Sequence, residues 1–337
     1  MAETDLDYDA VLVLSFGGPE GPDDVVPFLE NVTRGRNIPR ERLKQVGEHY
    51  FLFGGISPIN GHCRALVAAL EAELAQRGPR LPVYWGNRNW HPLLDATVAR
   101  MAADGVRRVL AVATSAFSSY SSCRQYLEDI ERARGAIGRS APIIEKLPPF
   151  WDHPAFLETM VEHTREAIAA LASPASPAAT RLVFTAHSLP APMAFACDYE
   201  AELREAAEIV SARAAPELSW ELAFQSRSGP PTQPWLEPDV RDRLRALRTD
   251  GVASVVVVPI GFVADHMEVV YDLDTDARSV ADEIGLELVR AATVGASARF
   301  VAGLRDLIVY RMEGRRPESL ARRGARPFPC ATGCCGR

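Results

Sequence analysis

Long apolar runs are absent from this sequence. The longest, residues 255–264, spans ten residues and falls well short of the roughly 18 that a membrane-spanning helix needs, so no transmembrane segment is expected. A secretory signal is not expected either, because the N-terminus MAETDLDYD is acidic rather than basic. We therefore predict a cytoplasmic protein whose thiols are reduced.

An excess of positive charge is absent too. The net charge of -7 disfavours a nucleic-acid partner, because binding to phosphates needs a concentrated basic surface. Nucleotide motifs are also missing: the glycine-rich segment LSFGGPEGP has neither G-x-G-x-x-G nor the terminal Gly-Lys-Ser/Thr of a P-loop. Its two prolines remove backbone donors that a phosphate would need, so nucleotide binding is disfavoured.

The two halves of the chain share the same order of predicted strands, loops and helices. Each half opens with a buried strand that runs into a polar or glycine-rich loop and a helix, and later has an apolar strand that ends in a polar loop. A chain of 337 residues typically forms about two domains. We predict two similar doubly wound α/β domains with parallel sheets facing a central cleft, at 8–150 and 151–316, and a cysteine-containing tail at 317–337. Such a cleft suits a flat or bulky ligand.

The stretch 254–276, SVVVVPIGFVADHMEVVYDLDTD, carries the densest chemical signal. Its valine run predicts a strand buried on both faces. At about 3.6 residues per turn, the acids that follow share one helical face: Asp265, Glu268, Asp272 and Asp276. A solvated helix start would also explain this row, but ligands of open parallel sheets bind beyond the carboxyl ends of the strands. Oxygen ligands at this spacing could pass on a hydrated divalent cation.

A histidine and a proline-rich loop complete the candidate site. His187 ends the first strand of the second half, in FTAHSLP, and either satisfies a buried carbonyl or takes part in chemistry. Beside Glu268 its imidazole would accept a proton while the carboxylate steadies the resulting charge or helps to hold a metal. The loop QSRSGPPTQPWLEPD is stiffened by its prolines, and Trp235 within it is either a core residue or a wall for a flat aromatic ligand.

Four ordered motifs resemble those of the ferrochelatase family, which inserts ferrous iron into a porphyrin at the end of haem synthesis. They are GGISPING, FTAHSLP, FQSRSGPPTQPWLEPD and PIGFVADHMEVVYDLD, and the resemblance extends from residue 8 to about residue 312. It implies that His187 and Glu268 are the pair at the iron and that Asp272, Asp274 and Asp276 continue an acidic path for it. Ferrous iron and the porphyrin would both be substrates.

The same resemblance implies contacts to the porphyrin. Ser57 and Tyr126 match positions that contact coproporphyrin III in a bacterial branch of the family. Arg34 and Arg36 match basic positions near the propionates, and the loop of Trp235 would clamp a bent ring. The resemblance therefore implies a coproporphyrin III ferrochelatase.

Three departures from the family pattern stand near these motifs. Phe16 occupies the position of a tyrosine in some bacterial members, so an axial oxygen ligand is not expected there. His49 and Phe53 precede GGIS, so the propionate contacts are expected to differ in detail. A protoporphyrin IX enzyme, a cobalt chelatase acting on sirohydrochlorin, a non-catalytic tetrapyrrole carrier and an iron-sulfur sensor remain as alternatives.

Three cysteines lie within the last eight residues: Cys330, Cys334 and Cys335. Incidental thiols or a zinc site would explain them, but three thiols so close together in a cytosolic protein favour a metal or a cluster over a disulfide. By the family resemblance they match the C-terminal ligands of a [2Fe-2S] cluster whose fourth ligand comes from the body of the protein. Cys123 is the predicted fourth ligand, and Cys197 is the alternative. The role would be structural or regulatory, because metal insertion transfers no electrons.

Overall fold

A computed structural model describes residues 7–36, 38–173, 176–229, 232–330 and 333–334. Within these residues the chain forms two parallel sheets of four strands each, flanked by helices. The predicted α/β class with two similar parallel sheets is therefore confirmed. Among the described helices, none combines the length and the apolar character needed to cross a membrane.

The first sheet has the strand order β2-β1-β3-β4. Its strands are β1 (Ala10–Ser15), β2 (Val83–Asn87), β3 (Arg108–Ala113) and β4 (Ile143–Lys146). The helices of this half are α1 (Pro22–Val32), α2 (Arg40–Phe51), α3 (Ile59–Arg77), α4 (Leu94–Ala103) and α5 (Gln125–Ile137), with a π-helical turn at Tyr120–Arg124. Strand β1 has the sequence AVLVLS and is buried along its whole length, as expected for a central parallel strand covered on both faces.

The second sheet repeats this plan in the order β6-β5-β7-β8. Its strands are β5 (Thr180–His187), β6 (Ser219–Gln225), β7 (Ser254–Val258) and β8 (Glu287–Arg290). The helices are α6 (Pro154–Ala169), α7 (Ala191–Phe195), α8 (Tyr199–Ala214), α9 (Val240–Thr249), α10 (Met267–Val270), α11 (Arg278–Glu283) and α12 (Ala298–Met312). A second π-helical turn, Asp272–Ala277, lies between α10 and α11.

Parallel pairing places the functional segments on one edge of the second sheet. Strand β5 lies between β6 and β7, and its last residue, His187, is opposite Gln225 in the register with β6. The strand order reverses beside β5, as it does beside β1 in the first sheet. Ligands of open α/β sheets bind at such switch points, so the loops after β5, β6 and β7 face the expected ligand.

The two halves share part of one hydrophobic core. Leu70 of α3 belongs to the same buried cluster as Leu304 and Ile308 of α12, and these two helices pack together. Arg305 of α12 reinforces the contact by donating to the backbone carbonyl of Gly78 at 2.8 Å. The last helix of the second half therefore packs against the first half. The predicted boundary near residue 150 falls between β4 and α6, and it stays a prediction.

Candidate active site

His187 and Glu268 meet at the carboxyl edge of the second sheet. Nε2 of His187 lies 3.2 Å from Oε1 of Glu268, which belongs to α10. Nδ1 of His187 donates to the backbone carbonyl of Ser188, and this bond orients the ring. Gln225, the neighbour of His187 in the β5–β6 register, donates through Nε2 to the backbone carbonyl of Glu268. The ends of β5 and β6 therefore hold both members of the pair.

The two members of this pair carry opposite charges at neutral pH. Burial alone would lower the pKa of His187, but the charge of Glu268 and its hydrogen bond outweigh burial and raise this pKa to about 9. Burial alone would raise the pKa of Glu268, but His187 reverses the effect and lowers this pKa to about 2. The sequence predicted a proton acceptor at His187, whereas the resting side chain is an imidazolium. It must release its proton before it can accept another.

Asp272 lies one turn beyond Glu268 and faces the loop after β6. Burial raises the pKa of Asp272 to about 7; a hydrogen bond from Ser226 opposes this rise and the charge of Glu268 adds to it. Ser226 has a φ of 64°, in the left-handed region that residues with side chains seldom adopt. Strained backbone of this kind is typical of functional sites. With its pKa of about 7, Asp272 can exchange a proton near neutral pH, close to the charged pair.

The prediction that four acids form a single row on one α-helical face is wrong. The backbone N–H of Asp276 bonds to the carbonyl five residues back at 2.9 Å, so the π-helical turn spaces its side chains differently from an α-helix. Asp265 precedes α10 and pairs with Arg290 at 3.0 Å, and Asp274 pairs with the same guanidinium at 2.6 Å. Asp276 faces Arg241 at 3.5 Å. The acids of the predicted path therefore differ in their partners. Asp272 faces Ser226, whereas Asp274 and Asp276 each face an arginine.

The charged pair opens into a cleft of about 650 Å³ between the two halves. This volume lies in the range of about 300–1,000 Å³ that is usual for ligand sites. All five of the predicted substrate contacts line the cleft: Arg34, Arg36, Ser57, Tyr126 and Trp235. Phe16 lines it as well, and its ring is 38% exposed. The structure therefore brings the residues of all four sequence motifs to one cavity.

Arg34 and Tyr126, which both line the cleft, make contacts of different kinds. Arg34 contacts the side chain of Asn31 near the protein surface. Tyr126 is almost fully buried, and the guanidinium of Arg88 lies 4.8 Å from its ring centre. Arg88 also pairs with Asp129 at 2.6 Å. Arg88 was not among the predicted site residues, although it stands just after β2, at the carboxyl edge of the first sheet, where ligand contacts are expected.

Trp235 forms one wall of the cleft, held from two sides. Its backbone pairs with Pro190 in an isolated bridge. Gly229 packs against the indole so closely that a Cβ atom at position 229 would lie 2.5 Å from Cζ2 of Trp235. This position needs a glycine because any side chain would displace the ring. Trp235 therefore lines the cleft, and its contact with a flat ligand stays a prediction.

His49 links α2 of the first half to the second half. Its imidazole stacks on the ring of Tyr271, with centroids 3.8 Å apart and planes inclined by 10°. The neighbouring Tyr50 is partly buried, and the acids Glu268 and Asp272 act on it electrostatically. Helix α2 therefore lies opposite the acidic segment. A propionate contact by His49 stays a prediction.

Cys123, Cys330 and Cys334 lie in one neighbourhood. Burial raises the pKa of Cys330 to about 11, and the nearby thiols of Cys334 and Cys123 add to this rise. Cys123 is buried in the π-helical turn that precedes α5, and it also acts electrostatically on Cys197. The thiol of Cys197 donates to backbone carbonyls of α7. Cys335 lies outside the described residues.

Ion pairs and a ring contact fasten the C-terminal tail near these thiols. Arg326 pairs with the buried carboxylate of Glu202 and with Asp198 at 3.0 Å. The guanidinium of Arg311 lies 3.8 Å from the ring centre of Phe328. Over the parts of the chain that the structure describes, no three His, Cys, Asp or Glu side chains converge closely enough to bind a metal ion. The predicted cluster is therefore not shown.

Comparisons with known proteins agree with the motifs. Residues 8–312 match the family model described as Ferrochelatase. The chain is 49% identical to the coproporphyrin III ferrochelatase of Streptomyces coelicolor, over 97% of this chain and 93% of that protein. It is also 49% identical to the coproporphyrin III ferrochelatase of Mycobacteroides abscessus, over 98% of both proteins. The solved structure of SirB from Bacillus subtilis with Fe³⁺ matches with a TM-score of 0.54 at 12% identity, over 90% of this chain and 97% of that one. At that identity the likeness concerns the fold alone.

Proposed function

The chain belongs to the ferrochelatase family, and from this premise we propose that it inserts Fe²⁺ into coproporphyrin III to give Fe-coproporphyrin III in haem biosynthesis. The relatives that carry this activity in their names support the choice of porphyrin. The structural observation that carries the proposal is the pair of His187 and Glu268, 3.2 Å apart at the wall of the cleft. Both Fe²⁺ and the porphyrin are substrates of the reaction.

Metal insertion exchanges the pyrrole N–H protons for a cation, so one site must accept protons and deliver Fe²⁺. Glu268 is a carboxylate at the cleft wall and suits a divalent cation as a ligand. When Fe²⁺ approaches Glu268, its charge takes the place of the imidazolium charge and lowers the pKa of His187. The imidazolium therefore first gives its own proton to water in the cleft. The neutral imidazole then accepts one pyrrole proton, passes it on and accepts the second in the same way. Asp272, with a pKa of about 7, can receive each proton from His187 and release it to water.

The porphyrin must bend so that its nitrogen lone pairs become accessible to the metal. Rigid walls provide this distortion when they hold the ring in a fixed position, and Trp235 is such a wall because Gly229 and Pro190 fix it. We propose that Ser57 and Tyr126 contact the macrocycle from the first half. Arg34 and Arg36 suit the propionates, since guanidinium groups bind carboxylates well.

Removal of the imidazole tests the activity. Anaerobic incubation of the wild type with Fe²⁺ and coproporphyrin III should give the metallated product, and His187→Ala should lower kcat by about a hundredfold or more, because a positioned acid or base commonly contributes that much. His163→Ala is a matched control, since His163 contacts the backbone carbonyl of Ala292 near the surface. Equal rates in His187→Ala and the wild type would contradict the mechanism.

The choice of porphyrin is tested separately. Coproporphyrin III carries propionates where protoporphyrin IX carries vinyl groups, and within the described residues neither Arg34 nor Arg36 has a carboxylate partner. We expect kcat/KM to be higher for coproporphyrin III and Arg36→Met to raise KM more for this substrate than for protoporphyrin IX. Equal or higher kcat/KM for protoporphyrin IX would favour the alternative substrate.

We further propose that Cys123, Cys330, Cys334 and Cys335 hold a [2Fe-2S] cluster. The first three lie in one neighbourhood, and soft thiolates are the ligands that such clusters require. When bound, the cluster would supply a covalent link between the tail and the body. Because the thiols must stay reduced and lose their protons to bind it, we propose a reducing compartment, the cytoplasm, as the site of action.

Spectroscopy and chemical analysis test the cluster. The purified wild-type protein should be brown and contain iron and acid-labile sulfide, and Cys330→Ser should lose both together with the visible absorbance. Cys63→Ser is the control, because Cys63 is a buried core thiol of α3. Cys123→Ser and Cys197→Ser separate the two candidates for the fourth ligand. An unchanged spectrum in Cys330→Ser would reject this residue as a ligand.

A further inference from the structure

Arg290, the last residue of β8, contacts two acids, Asp265 and Asp274. In the sequence these stand on either side of Glu268 and Asp272. Its Nε and Nη2 atoms donate to the two carboxylate oxygens of Asp274 at 2.6 and 2.9 Å. Nη2 and Nη1 also donate to Asp265, at 3.0 and 3.4 Å. The guanidinium is only 15% exposed, and Thr293 adds a hydrogen bond to Asp265 at 2.9 Å. One planar group therefore fixes both carboxylates.

The two acids are the ends of the segment that carries the reactive groups. Asp265 precedes Glu268 by three residues, and Asp274 follows Asp272 by two within the π-helical turn. The short helix α10 and a turn with irregular hydrogen bonding form the rest of the segment. Such a segment has few regular hydrogen bonds of its own, so a bond between its ends restricts where its carboxylates can lie.

Arg290 also changes which acids are available to a cation. The carboxylates of Asp265 and Asp274 share the single positive charge of the guanidinium at short range, which offsets part of their negative charge. Glu268 and Asp272 have no arginine partner among the described residues. His187 at 3.2 Å and His266 at 4.0 Å face Glu268, and Ser226 donates a hydrogen bond to Asp272. The segment thus leaves Glu268, which lines the cleft, and Asp272 without an arginine partner, and it binds Asp265 and Asp274 to the sheet.

We propose that Arg290 is a positioning residue, which holds Glu268 and Asp272 in register with His187 and withdraws Asp265 and Asp274 from the iron. This inference rests on the proposed function, since it concerns the delivery of Fe²⁺ by that same site. It assigns a role in the reaction to a residue outside the cleft. The geometry requires a planar fork with several donors, which lysine cannot provide.

Arg290→Lys tests the fork and keeps the charge. If the fork positions the segment, kcat for Fe²⁺ insertion falls by about tenfold to a hundredfold, because a displacement near 1 Å has effects of this size. KM for Fe²⁺ should rise, while the affinity for coproporphyrin III, measured without metal by the shift of the porphyrin absorption band, stays within about twofold of the wild type. A folded Arg290→Lys variant with wild-type kinetics would overturn the proposal, and so would an equal loss of porphyrin affinity.

A second variant and a matched control keep the test decisive if Arg290→Lys is unstable. Asp274→Asn releases one end of the segment while Arg290 retains Asp265, and we expect the same split between iron kinetics and porphyrin affinity. Arg243→Lys is the control, because Arg243 forms a similar two-pronged pair with Glu221 in the same half, on β6 and α9, and its iron kinetics should match the wild type. Failure of the wild type to metallate any porphyrin would reject the proposed function itself, whereas an active wild type with unaffected variants rejects only the role of Arg290.

Discussion

At the scale of single residues, the charge of His187 decides when the site can work. The pKa of about 9 means that the imidazolium predominates at neutral pH, and only the neutral form accepts a proton. Glu268 causes the rise, because its negative charge favours the protonated ring. The binding of Fe²⁺ at Glu268 and the acceptance of a proton by His187 therefore both depend on whether the ring of His187 carries its proton.

The dependence of rate on pH follows from this charge. We expect kcat/KM for Fe²⁺ to rise with pH through the neutral range toward about 9 in the wild type, because kcat/KM reports the protonation of the free enzyme. In Glu268→Gln the charge that raises the pKa is removed, so the imidazole titration, followed by NMR of labelled histidine, should move to lower pH. A titration at the same pH in both proteins would contradict this account of the pair.

Gly229 provides a second test at this scale. Gly229→Ala places a Cβ atom where the indole of Trp235 now lies, so the wall must shift. We expect weaker binding of coproporphyrin III, with a Kd several-fold higher, and little change in the pKa of His187. Gly135→Ala is the control, because a Cβ atom at this exposed helical position meets no neighbour. Unchanged porphyrin binding in Gly229→Ala would show that the position of Trp235 is unimportant.

At the scale of elements, the tail is held by a charge pair with a buried member. Glu202 on α8 is almost fully buried, accepts hydrogen bonds from Ser118 at 2.7 and 2.6 Å, and pairs with Arg326 of the tail. Ser118 lies just before the π-helical turn that contains Cys123. Glu202 therefore connects the tail to the loop that carries the predicted internal cluster ligand.

Arg326→Gln tests this connection. Loss of the guanidinium leaves a buried carboxylate with fewer partners, which we expect to lower the free energy of unfolding by about 1–3 kcal/mol and to reduce the iron retained during purification. Arg322→Gln is the control, since its pair with Glu208 is exposed and such pairs contribute about 1 kcal/mol or less. Urea unfolding and iron analysis measure both effects. Equal stability of the two variants would contradict the role of the pair.

The sequence predicted the elements that depend on local patterns and missed those that depend on distant contacts. The valine run of β7 and the position of His187 at the end of β5 are local, and parallel pairing of these strands brings their ends together. The π-helical turn was missed because a shift of hydrogen bonding by one residue leaves no mark on apolar spacing. Arg290 was missed because its acidic partners lie 16 and 25 residues away and only folding brings them together.

At the scale of the whole molecule, the halves are joined by more than the linker between β4 and α6. Helix α12 packs on α3, and Arg311 of α12 pairs with Glu145 of β4 at 2.8 Å. The predicted domains at 8–150 and 151–316 stay a prediction. One buried cluster contains residues of both halves, and each half also has a cluster of its own.

A core substitution tests this coupling. Ile308→Ala removes a fully buried side chain of α12 and should lower the free energy of unfolding by about 2–5 kcal/mol. Because α12 packs against the first half, the tryptophan fluorescence and the far-ultraviolet circular dichroism should change together in one transition at lower urea. Two separated transitions, with only one of them shifted, would mean that the halves unfold independently.

The central claim is that His187 and Glu268 act on a porphyrin held in the cleft between the halves. The most direct measurement is a crystal structure of the protein with metal-free coproporphyrin III. The account predicts the macrocycle between Trp235 and the first half, with His187 Nε2 and the Glu268 carboxylate on one face, directed at the pyrrole nitrogens. A macrocycle bound elsewhere, or turned so that neither group faces its centre, would contradict it.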